Sequence, residues 1–347
     1  QPAEVWPLLL LPLLAAWAAG LAPKARSGPG AGAGDRTAAF WEAVPYTVAR
    51  FPALDPGLLE EPGQRVGDRP LLERIGGGCG FGVESSVYAA ADAQGRRAEA
   101  VKVIPKSAIT SAGVLAGIRD ECELLRRAEH PNVVGFRGLL HGHRNLYVVM
   151  ELAGDRDLAE ELRLGGSLDP KRALGLFRQA ARAVAHLHAQ GIAHYDLKPA
   201  NLVLGAGDHV RLVDFGQAVE LRGPRSDRRG TLAFAAPEVI GGEAHEPAAA
   251  DVWSLGALLL ELLCGAGALP RLLGWAAGPD KASPEENLRY RAGLLELCAG
   301  PGPLLARVRE ELGALGEREA ALLAATLAAE PGQRASAACV LQLAEAP

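Results

Sequence analysis

Four polar side chains fall within eight residues of the stretch GIAHYDLKPANLVL, between two apolar runs: His194, Asp196, Lys198 and Asn201. A carboxylate, an ammonium and an amide so close together can accept a proton, offset negative charge and offer an oxygen to a cation. A second carboxylate, Asp214 of RLVDFG, follows a hydrophobic strand and precedes a glycine. Such a mount suits a side chain that holds a divalent metal. Lys102 of AVKVI is flanked by Val101 and Val103, where an ammonium is awkward without an anion. Glu121, on the helical stretch that follows, is its candidate counter-ion, although most helix-face glutamates are simply solvated. Upstream, Gly76, Gly77, Gly78, Gly80 and Gly82 would let backbone amides approach a phosphate closely, and the same run also reads as plain turns.

These groups need a scaffold, and the flanking patterns supply one in two parts. LLERIGGGCGFGVESSVYAAAD and AEAVKVI read as β-rich segments with glycine turns and β-branched runs. AGVLAGIRDECELLRRAEH then places Leu115, Ile118, Cys122 and Leu125 at three-and-four spacing, an amphipathic helix ended by Pro131. NLYVVMEL is a further buried strand. Beyond Gly154 helical patterns take over: DPKRALGLFRQAARAVAHLHAQG has a proline near its start and a glycine after its end. AAADVWSLGALLLELLCG and REAALLAATLAA follow, and no repeat of fixed period is present. A strand-rich lobe over 71–152 followed by a helical one over 153–347 is an α+β arrangement with a cleft between.

Composition bounds the rest. A chain of 347 residues, 49% hydrophobic and 22% charged, can bury a substantial core. The net charge of −5 gives no electrostatic case for a nucleic-acid partner. Five cysteines with no C-x-x-C pair suggest neither a disulfide framework nor a zinc site, so a reducing compartment is expected. The seven histidines apart from His194 show no metal-ligand spacing. At the amino end, the uncharged run Val5–Ala22 is about as long as a minimal membrane span. Residues 1–22 read as an anchor, a signal-peptide core or a disordered leader, and Pro7, Pro12 and the lack of an initiator Met make the segment look truncated or processed. If it spans, Lys24 and Arg26 favour a cytoplasmic body, by the positive-inside rule. Residues 23–70 are rich in Pro, Gly and Ala and read as linker, in which Phe40, Trp41, Tyr46 and Phe51 are aromatic enough to dock on the following domain.

Taken in order, the glycine loop, strand lysine, helix glutamate, HYDLKPAN and VDFG resemble a eukaryotic-type protein kinase domain, from about Leu71 to the end. The resemblance implies a bilobal fold with ATP and Mg2+ in the cleft and a serine/threonine-directed transfer to protein substrates. It implies that Gly78, Gly80, Gly82 and Val87 cover the phosphates, with Ser85 at the usual third glycine. Lys102 would hold the α- and β-phosphates and pair with Glu121. Asp196 would be the catalytic base, Lys198 the ammonium beside the γ-phosphoryl group, and Asn201 and Asp214 the metal ligands. Met150, Glu151 and Leu152 resemble the adenine hinge. GTLAFAAPEV resembles the peptide-binding segment, with Thr231 near Asp196 and Glu238 paired to Arg334. Asp251 resembles the aspartate that braces the catalytic loop. Arginine outnumbers lysine thirty to six, so lysine at both 102 and 198 has chance odds of roughly 1 in 36.

One residue departs from the family pattern. Tyr195 stands where most of the family place the arginine that receives an activation-loop phosphate. The loop itself carries Arg222, Arg225, Arg228 and Arg229, so activity is expected not to require its phosphorylation. Asp157 aligns with a position that meets basic peptide residues in some relatives, a ribose contact or solvent exposure being the plainer readings. Cys79 beside the phosphate loop is open to oxidation or is an unreactive thiol. Two other functions compete: a non-catalytic scaffold that binds nucleotide and partner proteins, against which the lysine, base and metal aspartate all remain, and a small-molecule kinase, disfavoured by the APE, DVWSLG and Arg334 elements.

Overall fold

The computed structural model describes residues 54, 55, 57–61, 63–80, 83–275 and 283–346, all within the second of the two compact units into which the chain divides, residues 46–347. The apolar leader 1–22, the linker as far as residue 53, Gly82 and the side chain of Cys79 lie outside this description.

The first lobe is a sheet of seven antiparallel strands: β1 (Glu60–Glu61), β2 (Arg65–Val66), β3 (Arg69–Gly80), β4 (Val83–Ala91), β5 (Arg97–Pro105), β6 (Phe136–His141) and β7 (Asn145–Glu151). They pair in the order β1-β2-β3-β4-β5-β7-β6. Val66, Leu71, Ala90, Val101, Tyr147 and Val149 form a small core on the sheet. Helix α1 (Ala112–Arg127) is capped by Ser111, whose hydroxyl accepts the Val114 N–H at 3.3 Å. It buries Leu115, Ile118, Glu121, Cys122 and Leu125, the face that its three-and-four spacing defines.

The sheet starts earlier than composition indicates. Part of the expected linker, residues 60–70, carries β1, β2 and the first residues of β3, and Val66 is fully buried. Glu60 is the anchor: its carboxylate accepts hydrogen bonds from the Tyr147 hydroxyl at 2.8 Å and from the Arg144 and Asn145 amides at 3.1 and 3.2 Å. The expected linker is corrected here for a physical reason. Two-residue strands are too short to show alternation, and this hairpin is stabilised by pairing with a larger sheet rather than by a pattern of its own.

The second lobe is helical: α2 (Leu158–Gly165), α3 (Pro170–Ala189), α4 (Pro237–Gly241), α5 (Pro247–Cys264), α6 (Ala268–Leu272), α7 (Pro284–Leu297), α8 (Pro301–Leu312), α9 (Glu317–Thr326) and α10 (Ala337–Glu345). Short strands on its upper side, β8 (Arg156–Asp157), β9 (Ile192–Ala193), β10 (Leu202–Gly205), β11 (His209–Leu212) and β12 (Val219–Glu220), form the sheets β11-β10-β8 and β12-β9. Asp169 caps α3 by accepting from the Lys171 and Arg172 amides, and Pro170 sits in its first turn. Helix α5 is apolar on all sides because it is surrounded. It is the one described helix long and apolar enough to cross a membrane, yet 83% of it is buried inside the protein. Gly265, at φ 85°, ends it. Trp253 of α5 and Phe177 of α3 are fully buried in the core of this lobe.

A buried ion pair pins the last helices. The Arg334 guanidinium forks onto both oxygens of Glu238 at 2.6 and 2.8 Å, donates to the carbonyls of Ala249, Ala328 and Ala329, and lies 5.1 Å over the Trp253 ring. Arg334→Met would leave the Glu238 charge buried and unpaired, at a cost of about 3–5 kcal/mol. A fall in Tm of about 10 °C in thermal unfolding is the expected result.

Glu261 is the opposite case. Burial pushes its carboxyl up from 4.5 to about 7, against the hydrogen bond from the Gly267 amide and the charge of Arg271. The unfolded chain releases that proton near 4.5 and the folded chain near 7, so the folded state binds more protons in between and loses stability as pH rises through this window. Glu261→Gln keeps an acceptor for Gly267 without the charge. Tm should therefore decline less from pH 4.5 to pH 7 in the variant than in the wild type.

Candidate active site

Lys102 projects from β5, where its neighbours across the sheet are Val87 of β4 and Val148 of β7. The strand buries most of its aliphatic stem, and only 12% of the side chain is exposed. Its ammonium donates to Glu121 Oε1 at 2.6 Å and lies 4.0 Å from Asp214 Oδ1. Burial alone would lower this ammonium, but the charges of Glu121 and Asp214 outweigh it and hold the group above its ordinary value. Lys102 is therefore a permanent cation facing the cleft. Upstream of it, β3 and β4 bring Gly78 opposite Ser85, Gly80 opposite Val83 and Gly76 opposite Val87, and Ser85 is buried.

The catalytic-loop candidates gather around one carboxylate. Asp196 accepts from Lys198 Nζ at 2.7 Å on one oxygen and from the Thr231 hydroxyl at 2.8 Å on the other. Lys198 also donates to Thr231 at 2.8 Å. Burial works against the Asp196 charge, but Lys198 and the two hydrogen bonds prevail and hold the carboxyl below its ordinary value. Asn201 turns its amide nitrogen to the Asp196 carbonyl and carboxylate at 2.8 and 3.1 Å. That fixes which end of the amide is its oxygen.

Backbone bonds join the two groups of residues. The Val213 N–H donates to the Asn201 carbonyl at 2.9 Å, and the Val213 carbonyl meets His194 Nε2 at 3.0 Å. Asp214, the next residue, adopts φ 61°. This is a left-handed conformation that costs a non-glycine residue free energy and persists only where neighbours enforce it. Its side chain is half-exposed and accepts the Gly216 N–H at 3.3 Å. A methyl at Gly216 would stand 3.2 Å from that carboxylate.

The brace beneath the loop is Asp251 of α5. Fully buried, it accepts the His194 and Tyr195 amides at 2.8 Å each and meets His188 Nε2 at 2.9 Å. His194 is also fully buried and packs edge-on to Phe215, 5.1 Å between centroids.

At the end of β7, Met150 is half-buried, the Glu151 N–H donates to the Gly135 carbonyl, and the Leu152 N–H donates to the Ala98 carbonyl at 3.0 Å. The Glu151 carboxylate pairs with Arg211 at 2.9 Å. Asp157 serves as the N-cap of α2, accepting the Glu160 N–H at 2.8 Å, a use that none of its three readings from sequence included.

Two residues that reasoning from sequence did not single out lie against this site. His245 meets the phenol of Tyr195, and Asp227 gathers Arg225 and Arg229. The only signal available was Tyr195 itself, a phenol in a buried loop, which needs an acceptor somewhere.

Residues 74–343 match the protein kinase domain family. Among curated proteins, CBL-interacting protein kinase 16 of Oryza sativa subsp. japonica is 36% identical over 214 residues, 59% of this chain and 47% of the relative. Aurora kinase A-A of Xenopus laevis is 34% identical over 194 residues, 55% of this chain and 47% of the relative. CBL-interacting protein kinase 4 of Oryza sativa subsp. japonica is 37% identical over 206 residues, 56% and 45%. The chain spans about half the length of these relatives. With a family match over most of its length, laid on a strand-rich lobe and a helical one, this chain belongs to the protein kinase domain family.

Proposed function

We propose that this chain is a serine/threonine protein kinase, moving the γ-phosphoryl group of Mg-ATP to Ser or Thr hydroxyls of protein substrates. The observation that carries the reading is the meeting of Lys102 and Asp214 at 4.0 Å while Lys102 holds Glu121 at 2.6 Å. An amine from the sheet and a carboxylate from the opposite side of the cleft thereby converge on the space that a triphosphate would occupy.

The chain's own residues divide the work. Lys102, fixed by Glu121, binds phosphate oxygens of the nucleotide, and the paired β3 and β4 backbone at Gly78, Gly80, Ser85 and Val87 covers them. Met150, Glu151 and Leu152 form the hinge against which the base lies, held in place by the Glu151 and Leu152 amides on the Gly135 and Ala98 carbonyls. Asp196 stays ionised at neutral pH, and orients and accepts the proton of the substrate hydroxyl. Lys198 offsets the charge that grows on the transferring group. Thr231 holds the peptide-binding segment against Asp196, and its contact with Lys198 supports a serine/threonine rather than a tyrosine acceptor.

The donors also suit magnesium. Asn201 has its amide nitrogen committed to Asp196, which leaves its oxygen as the coordinating end, and Asp214 adds a half-exposed carboxylate. Both are hard oxygen ligands of the kind this ion takes alongside phosphate. When bound, Mg2+ neutralises phosphate charge and orients the transferring group. The free thiols of Cys122, Cys264, Cys298 and Cys339 support a reducing, cytoplasmic setting for the domain. The anchoring role expected of residues 5–22 lies outside the described residues.

Transfer from labelled ATP to a generic protein substrate tests the reading. Wild type should yield phosphoserine and phosphothreonine, and Asp214→Asn should lower transfer by about 100-fold or more. Equal transfer by the two proteins would remove the catalytic reading in favour of a scaffold. Phosphotyrosine alone would remove the serine/threonine one. Loop phosphorylation is tested separately. Ser226→Ala should keep activity within about twofold of wild type, whereas Thr231→Ala should lose about tenfold and Thr231→Ser should recover most of it. Loss in Ser226→Ala, restored by Ser226→Glu, would show that the loop needs a phosphate after all.

A further inference from the structure

Tyr195 occupies the one position of the catalytic loop where this chain departs from its family, and its surroundings are specific. Its φ of 68° is left-handed, a conformation costing a residue of this size about 1–3 kcal/mol. Asp251 enforces it from below through the Tyr195 amide. The other end of the residue is held as well. The ring is buried, 5% exposed, and its hydroxyl is hydrogen-bonded to Nε2 of His245, which is itself buried.

The direction of that bond follows from the other ring nitrogen. His245 Nδ1 lies 2.6 Å from the Glu243 carbonyl oxygen, which can only accept. Nδ1 therefore carries the proton, Nε2 presents a lone pair, and the phenol donates. The His245 backbone is engaged too: its N–H and carbonyl exchange two bonds of 2.8 Å with Arg225 of the activation segment. The Arg225 guanidinium bonds Asp227 at 2.7 and 3.0 Å, and Arg229 bonds the same carboxylate. These bonds, with Arg225 first and in spite of partial burial, hold Asp227 far below the ordinary carboxylate range. Gly230 comes next, at φ 81°, so close to the loop that a methyl there would stand 2.4 Å from the Tyr195 carbonyl oxygen. Thr231 then reaches Asp196.

We propose that His245 is a positioning residue for phosphoryl transfer. It clips the activation segment onto Tyr195 and thereby holds Gly230 and Thr231 against the catalytic carboxylate. A neutral phenol–imidazole bond joins the segment to the catalytic loop, and Asp227 supplies, within the chain, the anion that gathers the segment's arginines. The assignment rests on the kinase reading above. It also accounts for the absence of arginine at 195, since a third guanidinium would face Arg225 and Arg229 with only Asp227 between them.

The test uses the full chain with Tyr195→Phe, His245→Leu, His245→Gln and the Tyr195→Phe/His245→Leu double variant. Steady-state transfer to a protein substrate is measured together with hydrogen exchange of segment 222–231. Tyr195→Phe and His245→Leu should each lower kcat about five- to tenfold with KM for ATP changed less than about twofold, because the Lys102 side of the cleft is untouched. The Gln variant retains an acceptor and should recover to within about threefold, and the double variant should be no worse than the poorer single, as expected of two halves of one interaction. Exchange in 222–231 should quicken in Phe and Leu variants and not in Gln. Unchanged kcat in Tyr195→Phe, equal loss in His245→Leu and His245→Gln, or multiplied losses in the double variant would overturn the proposal. Tyr195→Phe removes a single oxygen and carries the test if His245→Leu fails to fold. Should wild type transfer no more phosphate than Asp214→Asn, the kinase reading fails. The exchange rates then decide the clip by themselves: quickening in Phe and Leu supports it, and unchanged rates overturn it.

Discussion

The carboxylate of Asp251 sits out of reach of water in a helix that is apolar on every side. A charge so placed is tolerated only when hydrogen bonds replace its hydration. Here the bonds come from the amides of His194 and Tyr195 and from the ring of His188. The need of one buried group thus dictates the path of the chain just before Asp196. The left-handed turn at Tyr195, the inward packing of His194 under Phe215 and the placement of Asp196 at the surface of the cleft all follow from it.

Above this brace the site is assembled from parts that could not reach one another unaided. Lys102 and Glu121 belong to the sheet and its helix, whereas Asp214 follows a strand of the helical lobe. The pairing of Lys102 with Glu121 fixes a cation at the cleft, and the half-exposed Asp214 carboxylate lies beside it. On the other side of the loop, Asp196 is surrounded by donors that keep it ionised. Both halves are preorganised, so the proposed transfer would require little rearrangement of protein dipoles.

What could be read in advance and what could not divide along sequence distance. HYDLKPAN and VDFG are legible because every member of each sits within a few residues, in a window bounded by apolar strands. Helices α1, α3 and α5 are legible from periodicity, caps or length. The partner of Tyr195 is not, because His245 lies 50 residues away in a short loop with no periodic pattern, and six other histidines were equal candidates until the chain was folded. Asp227 was hidden differently: in a run of arginines, a single acid reads as solvated, and only the fold shows two guanidinium groups converging on it. Asp157 was legible as an acid, and the helix start it caps was also there to be read in Glu160 three residues on, a signal overshadowed by the functional readings of its charge. The hairpin at Glu60 was masked by composition.

That hairpin has a bearing on solubility. Its short strands pair with β3 only at Arg69 and Pro70, so their contribution is less to cap an edge than to cover apolar surface, Val66 packing with Leu71, Tyr147 and Val149. A fragment trimmed to the family boundary at residue 74 would discard this short border together with Leu71. It would leave Ala90 of β4 without its partner Leu71 and the Tyr147 and Val149 side chains newly wetted. The residues ahead of the recognisable domain act as its hem, and their removal would favour self-association before it altered any group in the cleft.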